Sequence, residues 1–344
     1  MYLYAPTDIL SQRLESILRQ NSLPFSLHQK TFALNDRADR EKALTVLQSH
    51  LSQPEAEDLR VTFDLANLMA ATSLTQVSQR AETSWFQHAL VNDQFVHWFQ
   101  PIVNAREQTL LGHECLIRLA KANEPGCFYS GEDIINAAIT RGDVHVFDSY
   151  SRRSAIRNAA RQHVDGRVFI NFTPSSIYDP AFCMASTLQA MQDTHLRPED
   201  IVFEVVECER VRDPHHLRKI VDYYREKGFG VALDDVGTGS NSLQMMAEIQ
   251  PDFIKLDKSI VWKCESPIGL KTIQKLAELG AESGMTVIAE GIETEKMRDI
   301  LLGCGISFMQ GYFFGKPHPI MSVGEHANAE SSGGQASTLA TVAA

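Results

Sequence analysis

Two adjacent carboxylates, Asp234 and Asp235, stand between the apolar run 231–233 and the glycine-containing segment 237–240. The run is typical of a buried strand. Because the chain leaves extended geometry where a strand ends, both side chains can reach one site instead of opposite faces of a sheet. Two ionised carboxylates side by side repel each other unless a cation lies between them. A solvated turn before a helix would show the same residues, so the pair indicates a cation site only if other strands end similarly.

Polar residues also lie at or near the ends of most other apolar segments that could form strands. They are Glu114, Asn171, Glu204, Glu207, Lys255, Glu290, Glu293 and Gln310. A buried charge is costly unless it is paired or bound to a metal, and pairing within the chain could neutralise only a few of these acids. The set therefore predicts one central site.

The candidate ligands in this set offer oxygen atoms, with no His or Cys among them. Such donors suit hard divalent cations, Mg²⁺ or Mn²⁺, and two ions bridged by an aspartate can clamp a phosphoryl group and generate a hydroxide. Lys255 can hold or deprotonate the attacking water, or it can pair with Asp257 or another acid. Arg118 can bind a substrate phosphate or form a surface ion pair. The chemistry indicated is metal-dependent hydrolysis at a phosphoryl group.

The elements that must position these side chains alternate between strand and helix from about residue 94 onward. The apolar segments, most with strand-like composition, are 95–103, 110–119, 168–172, 201–206, 231–233, 253–256, 287–289 and 308–314. The helical stretches between them are 131–163, 176–194, 213–227, 240–249, 267–283 and 295–302. This order predicts an α/β fold, a TIM-like (β/α)8 barrel with an irregular start, because only a short turn at 107–109 joins the first two segments.

Residues 1–80 are predicted to form a small N-terminal regulatory domain, α/β or mostly helical. Its predicted elements are strands at 1–5 and 24–29, a helix capped by Thr7 or Asp8, and helices at 39–51 and 57–71. An amphipathic linker helix at 77–91 leads into the barrel domain, which is assigned to 81–325. The tail, 326–344, is rich in Ser, Gly and Ala, and we predict that it is disordered.

Composition restricts the partners and the compartment. The 43 acidic and 32 basic residues give a net charge of −11, which argues against a surface that binds nucleic acid polymers or anionic membranes. The six cysteines are scattered without a CxxC pair, a pattern more typical of a reduced cytosolic protein than of a disulfide framework. Neither a signal peptide nor an apolar stretch of about 18 residues is found. We therefore expect a cytoplasmic protein.

With these motifs assembled, residues from about 85 to 325 resemble the EAL domain, the cyclic di-GMP phosphodiesterase family. The motif that names the family stands here as Glu114-Cys115-Leu116. The other stretches that resemble family motifs, in order and spacing, are QPIV at 100–103, NFTP at 171–174, EVVE at 204–207, DDVGTG at 234–239, KLD at 255–257, AEGIE at 289–293 and QGYFFGKP at 310–317. The resemblance covers about 70% of the chain.

The resemblance implies a barrel whose first strand is antiparallel to the others, and metal-dependent hydrolysis of cyclic di-GMP to linear pGpG by a homodimer. It also implies a set of ligands for two Mg²⁺ or Mn²⁺ ions. The ligands are Glu114, Asn171, Glu204, Asp234 and Asp235. The first four would hold one ion, and the adjacent aspartates, with Glu290 nearby, would hold the second.

The same resemblance assigns roles to further residues. Lys255 would hold the nucleophilic water, and Gln310 would orient the water or the substrate. Glu290 and Glu207 would belong to the catalytic machinery, the latter by anchoring the loop after Asp235. The residues implied to contact substrate are Arg118, Leu116 and Asp257, of which the arginine would bind a phosphate.

Three positions depart from the family pattern. Cys115 replaces Ala, Val206 replaces Thr, and Val236 replaces the Phe of a loop thought to couple family dimers to activity. None of these changes removes a metal ligand, so the resemblance favours an active enzyme. The alternative is a non-catalytic receptor or scaffold that binds the dinucleotide, or a partner, and signals through residues 1–80. An unrelated metal-dependent barrel hydrolase fits the ligands but not the order of the motifs.

Overall fold

The structure is a computed structural model that describes residues 1–64, 71–206, 213–237 and 242–320. Glu207 and the tail predicted to be disordered lie outside these residues. By its internal contacts the chain divides into two units, Met1–Gln94 with Glu132–Val144, and Phe95–Gly131 with the described residues from His145 onward. No helix in the described part of the chain combines the length and the apolar character that a membrane crossing requires.

The first unit contains a five-stranded antiparallel sheet in the order β2-β3-β1-β4-β5. The strands are β1 (Tyr2–Tyr4), β2 (Ser26–His28), β3 (Thr31–Ala33), β4 (Arg60–Thr62) and β5 (Thr72–Ser73). The helices that follow them along the chain are α1 (Asp8–Gln20), α2 (Arg37–His50), α3 (Gln53–Asp58), α4 (Leu74–Glu82) and α5 (Ser84–Val91). The unit is therefore α/β and not mostly helical.

Local sequence explains α1 well. Thr7 caps it, because its hydroxyl accepts a hydrogen bond from the backbone N–H of Leu10 at 3.2 Å. The apolar residues spaced by three and four positions, including Leu14 and Ile17, are buried in one core with Leu3 and residues from the sheet and the other helices.

The predicted helix at 57–71 is wrong at its start. The helix α3 ends at Asp58, and Arg60–Thr62 form β4, in which Val61 lies opposite Leu3 of β1. Pairing with a sheet satisfies the backbone groups of a β-branched stretch better than one more helical turn does. The predicted linker helix is likewise two helices, since Thr83 leaves helical geometry between α4 and α5.

The second unit contains a closed barrel of eight strands. They are β6 (Val96–Asn104), β7 (Thr109–Ala120), β9 (Arg167–Phe172), β10 (Ile201–Val205), β11 (Gly230–Val236), β12 (Phe253–Leu256), β13 (Thr286–Ala289) and β14 (Phe308–Gln310). The short β8 (Phe128–Tyr129) pairs with the end of β7. Seven strands run parallel, whereas β6 is antiparallel to both β7 and β14 and closes the barrel between them. This topology confirms the TIM-like barrel with an antiparallel first strand.

Helices follow most of the parallel strands. Along the chain they are α6 (Gly131–Arg141), which from Glu132 onward belongs to the first unit, α7 (Val144–Arg161), α8 (Pro180–Gln192), α9 (Pro214–Glu226), α10 (Ser242–Ile249), α11 (Lys258–Val261), α12 (Pro267–Glu282) and α13 (Glu295–Gly303). The single helical stretch predicted at 131–163 is thus two helices. Gly142 breaks it with a φ of +76°, a conformation that glycine adopts at little cost.

A layer of apolar side chains fills the barrel interior beneath the polar strand ends. This apolar layer consists of Ile102, Phe169, Val202, Ala232, Phe253 and Ile288. Side chains two residues apart on a strand lie on the same face. Asn171, Glu204 and Asp234 therefore project into the barrel one step above Phe169, Val202 and Ala232. Because side chains alternate between the two faces of a strand, each strand places one polar side chain in the same poorly solvated layer above the apolar one.

Candidate active site

A single buried lysine lies among four carboxylates at the carboxyl ends of the parallel strands. The Nζ atom of Lys255 is 3.4 Å from Glu114 Oε2, 3.0 Å from Glu204 Oε1, 3.2 Å from Asp234 Oδ1 and 2.7 Å from Glu290 Oε1. We call these four acids the acidic ring. Lys255 is 1% exposed, so water contributes little to screening these charges. In this structure Lys255 pairs with the strand-end acids.

One ammonium group cannot neutralise four carboxylates, and the pKa values of the ring reflect this imbalance. Burial raises the pKa of Glu204 well above its ordinary value, and the negative charges of Glu114 and Asp234 add to the effect. Burial also raises the pKa of Asp234, and it raises that of Glu290 to about 8. Lys255 has its pKa raised well above the usual range because the surrounding carboxylates outweigh its own burial. The lysine is therefore an ammonium ion throughout the physiological pH range.

Glu114 differs from the other acids because neutral donors hold it in its ionised form. Although burial opposes this, the charge of Lys255 and hydrogen bonds from Gln310 and Asn171 lower its pKa. Gln310 donates from Nε2 to Glu114 Oε2 at 2.7 Å and to Gln100 Oε1 at 3.1 Å. Asn171 Nδ2 donates to Glu114 Oε1 at 3.5 Å. Gln100, which the sequence reasoning did not single out, reaches this network because β6 is antiparallel and places it directly opposite Glu114.

Two glycines that follow Gln310, Gly311 and Gly315, let the backbone approach neighbouring segments closely. A Cβ atom on Gly311 would lie 2.2 Å from the backbone nitrogen of Ile292, which is too close for any other residue without movement of β13 or β14. The carbonyl of Gly315 accepts a hydrogen bond from Gln100 at 3.2 Å. The QGYFFG stretch thus positions Gln310 through backbone packing as well as through the sheet.

A break in the β11 ladder directs two consecutive aspartates towards one site. The pairing of β11 with β12 shifts in register between Leu233 and Val236, and Asp235 adopts a φ of +53°. Carboxylate oxygens of Asp234, Asp235 and Glu290 consequently lie within 4.8 Å of one another. Gly237, at φ +106°, completes the turn where a Cβ atom would lie 1.8 Å from Ile260. Burial and the neighbouring Asp234 raise the pKa of Asp235 to about 6.

The residues of the site fit hard divalent cations. Several of their oxygens are buried without a hydrogen-bond partner, namely both oxygens of Glu204, Asp234 Oδ1, Asn171 Oδ1 and Gln310 Oε1. Two of these atoms, Glu204 Oε1 and Asp234 Oδ1, lie within ion-pair distance of Lys255, and one ammonium group leaves lone pairs of the set unused. An excess of negative charge together with unused oxygen lone pairs is what a Mg²⁺ or Mn²⁺ site requires.

The predicted substrate contacts lie on β7 and after β12. Arg118 and Leu116 are half-buried and share a strand face with Glu114. The Arg118 guanidinium lies 5.5 Å from the ring centre of Trp98, which also contacts Phe128 at 4.8 Å between ring centres. Sequence reasoning did not identify these two aromatic residues, because their contact depends on how β6 and β8 pair with β7. Asp257 caps α11 by accepting a hydrogen bond from the backbone N–H of Ser259 at 2.8 Å.

Three other predicted positions have clear locations. Glu293 is exposed, so it does not join the acidic ring. Val236 is buried opposite Leu256 in the sheet, and Cys115 faces the hydrophobic core, away from Glu114. Both residues fill apolar positions, which explains why replacing the residues usual in the family does not disturb the acidic ring.

Comparison with known proteins identifies the fold and its family. The family model of the EAL domain matches residues 83–317. The probable cyclic di-GMP phosphodiesterase PdeG of Escherichia coli strain K12 is 30% identical over 236 residues, 67% of this chain and 46% of that protein. The cyclic di-GMP phosphodiesterase PdeF of the same strain is 26% identical over 68% of this chain and 31% of its own length.

A solved structure of another EAL protein is also similar to this chain. A standalone EAL protein from Vibrio cholerae O395, crystallised with c-di-GMP bound, is 32% identical, with a TM-score of 0.60 over 65% of this chain and 92% of that one. This chain spans less than half the length of the two curated relatives. The matched residues include all eight barrel strands and the acidic ring, and the chain belongs to the EAL-domain family.

Proposed function

We propose that this chain hydrolyses cyclic di-GMP to linear pGpG, using two divalent metal ions. The observation that carries the proposal is the acidic ring around Lys255 in an EAL barrel. Every residue that the resemblance implies as a metal ligand is present in the chain. The names of the relatives, cyclic di-GMP phosphodiesterases, support the choice of substrate. The reaction adds water to one phosphodiester, breaks its bond to the 3′ oxygen, and returns a proton to that oxygen.

The residues proposed to hold the metals divide into two overlapping sets. Glu114, Asn171, Glu204 and Asp234 would hold one ion, and Asp234 and Asp235, with Glu290, would hold the other. Bound there, the ions would acidify a water molecule and neutralise charge on the phosphoryl oxygens. The convergence of Asp234, Asp235 and Glu290 oxygens within 4.8 Å supports the second set.

The protein side chains supply orientation and charge. The Lys255 ammonium lies between the carboxylates, and its proposed role is to donate hydrogen bonds that hold the attacking water. Gln310 donates to Glu114 and would orient that carboxylate together with the water or substrate. Arg118, fixed against Trp98, would bind a phosphate of the dinucleotide. Leu116 and Asp257 are proposed to contact substrate, and Glu207 to anchor the loop after Asp235.

Chromatography of the reaction products tests this function directly. Purified chain is incubated with cyclic di-GMP and Mg²⁺, Mn²⁺ or a chelator. We expect pGpG to form with a metal ion and to be lost with the chelator, because the acidic ring cannot bind an anionic phosphodiester without added positive charge. Saturable binding of cyclic di-GMP without product in any tube would instead favour the non-catalytic receptor.

We further propose that the chain forms a cytoplasmic homodimer in which residues 1–80 regulate the barrel domain at 81–325. The family resemblance and the prevalence of two-fold pairing support the dimer. We expect sedimentation velocity of the active protein to give the mass of two chains. A monomer mass with full activity at the same concentration would contradict the dimer without affecting the proposed reaction.

A further inference from the structure

A second charged cluster lies buried in the barrel unit, outside the acidic ring. Arg152 and Asp148, one turn apart on α7, form an ion pair with 3.0 Å between Nε and Oδ2. Arg152 also donates from Nη1 to the hydroxyl of Thr187 on α8, at 2.9 Å. The second carboxylate oxygen of Asp148 accepts a hydrogen bond from the backbone N–H of Thr173, at 2.8 Å. The pair therefore connects two outer helices to the chain that leaves β9.

Helix stability does not explain why this pair is buried. Arg152 is 1% exposed and Asp148 is 5% exposed, and removing two charges from water costs more than a single ion pair usually returns. An Asp–Arg pair with the same spacing on the solvent-facing side of α7 would stabilise the helix equally well. The contact that requires burial is the one between Asp148 and Thr173, because the backbone of Thr173 lies inside the protein.

Thr173 is the first residue after β9, beyond the last residue of that strand that pairs with β10. Phe172, the last residue of β9, still pairs with Val205 of β10. The next backbone N–H, that of Thr173, donates to Asp148 instead of to a strand. Pro174 has no N–H to donate, and the chain then turns, with the N–H of Ser176 bonded to the Thr173 carbonyl at 2.9 Å. Asp148 thus supplies the anchor at the end of the ladder.

Asn171 lies two residues before this anchor. Its Oδ1 is buried without a hydrogen-bond partner, while its Nδ2 donates to Glu114 over 3.5 Å. Few contacts of its own therefore fix the direction of the side-chain amide. The backbone therefore sets its direction. Pairing with β10 holds Asn171 and Phe172, and Asp148 holds the backbone of Thr173, the first residue beyond that pairing.

We propose that the buried Asp148–Arg152 pair positions Asn171 for metal binding by fixing the Thr173 backbone. Asp148 accepts the hydrogen bond, and Arg152 supplies the opposite charge beside this buried carboxylate. Both are positioning residues that touch neither substrate nor metal. The inference rests on the proposed function in that it takes Asn171 as a metal ligand.

Two double variants of the full chain separate the effect of the hydrogen bond between Asp148 and Thr173 from that of the Asp148–Arg152 ion pair. Asp148→Leu with Arg152→Met removes the ion pair and the acceptor for Thr173. Asp148→Asn with Arg152→Met also removes the ion pair but keeps an oxygen acceptor. Because neither variant leaves a buried unpaired charge, both are expected to fold. Calorimetric titration with Mn²⁺ should show about tenfold weaker binding for the leucine variant only, as is usual for loss of an outer-shell partner.

Equal Mn²⁺ affinities of the two variants would overturn the proposal, as would weakened binding in the asparagine variant, which retains the acceptor. The comparison of the asparagine variant with the wild type still tests the proposal if the leucine variant does not fold. As a further control, Thr187→Val leaves the Asp148–Thr173 bond in place and should bind Mn²⁺ like the wild type.

Hydrogen–deuterium exchange separates this inference from the proposed function. Amides in the peptide 168–176 should exchange faster in the leucine variant than in the asparagine variant, with or without metal. If wild-type protein binds no Mn²⁺, the proposed function fails, while this exchange comparison still tests the anchor. Equal exchange in the two variants would contradict the positioning role.

Discussion

Replacing Lys255 with Met is expected to abolish turnover and to destabilise the metal-free protein. Loss of one preorganised hydrogen-bond donor at a reacting centre typically lowers kcat by about 10²- to 10³-fold. The same change removes the cation that lies between 2.7 and 3.4 Å from four carboxylates. Removing one partner from a buried ion pair costs about 3–5 kcal/mol. Product chromatography and thermal unfolding in chelator measure the two effects.

Added Mn²⁺ should stabilise Lys255→Met against heat more than it stabilises the wild type, because the ion supplies positive charge that the variant lacks. Lys258→Met is the matched control, since Lys258 is exposed on α11, three residues away, with its ammonium 5.8 Å from the Trp262 ring centre. The control should keep wild-type turnover and stability. A Lys255→Met protein with near-wild-type kcat would remove the lysine from the mechanism.

The acidic ring could be predicted from sequence because strands alternate strictly. Once the seven apolar segments from 110–119 onward are taken as parallel strands, polar residues near their carboxyl ends must meet at one end of the barrel. Asn171 above Phe169 and Glu204 above Val202 follow this rule directly. The antiparallel first strand came from the family resemblance together with the short turn at 107–109.

Features that depend on contacts between distant segments were not predictable in this way. The helix predicted at 57–71 failed because Val61 pairs with Leu3, almost sixty residues earlier in the chain. The stacking of Arg118 on Trp98 requires the register between β6 and β7. Asp148 and Arg152 have the spacing of an ordinary surface pair on a helix, and only the fold shows that both are buried.

The acidic ring and the adjacent Asp235 also make the metal-free protein lose stability as pH rises. A carboxyl group whose folded-state pKa is raised stabilises the fold fully only below its unfolded pKa, and the contribution is lost as pH rises through the folded pKa. For Asp235 this window runs from 3.8 to about 6, and for Glu290 from 4.5 to about 8. Burial also raises the pKa of Glu204 well above its ordinary value, which acts in the same direction.

Glu204→Gln should therefore separate stability from activity. The amide removes a buried negative charge and adds donors, so we expect the melting temperature of the metal-free variant to exceed that of the wild type by at least about 2–4 °C at pH 8. The difference should shrink towards pH 5, because the raised pKa of Glu204 favours protonation of the wild-type carboxyl group as pH falls. Turnover should fall by about 10²-fold or more, because a group preorganised to hold positive charge is lost.

Thermal unfolding in chelator at pH 5 and pH 8, with product chromatography, measures these outcomes. Glu199→Gln is the control, since Glu199 is exposed just before β10 and pairs with Arg197 at 2.9 Å on the surface. Solvent screens such an exposed pair, which contributes little to stability, so the control should change neither the pH dependence nor turnover. A destabilised Glu204→Gln protein would mean that Lys255 more than compensates for burying this carboxylate. A stabilised but inactive protein would show that the charge is retained for binding metal and not for folding.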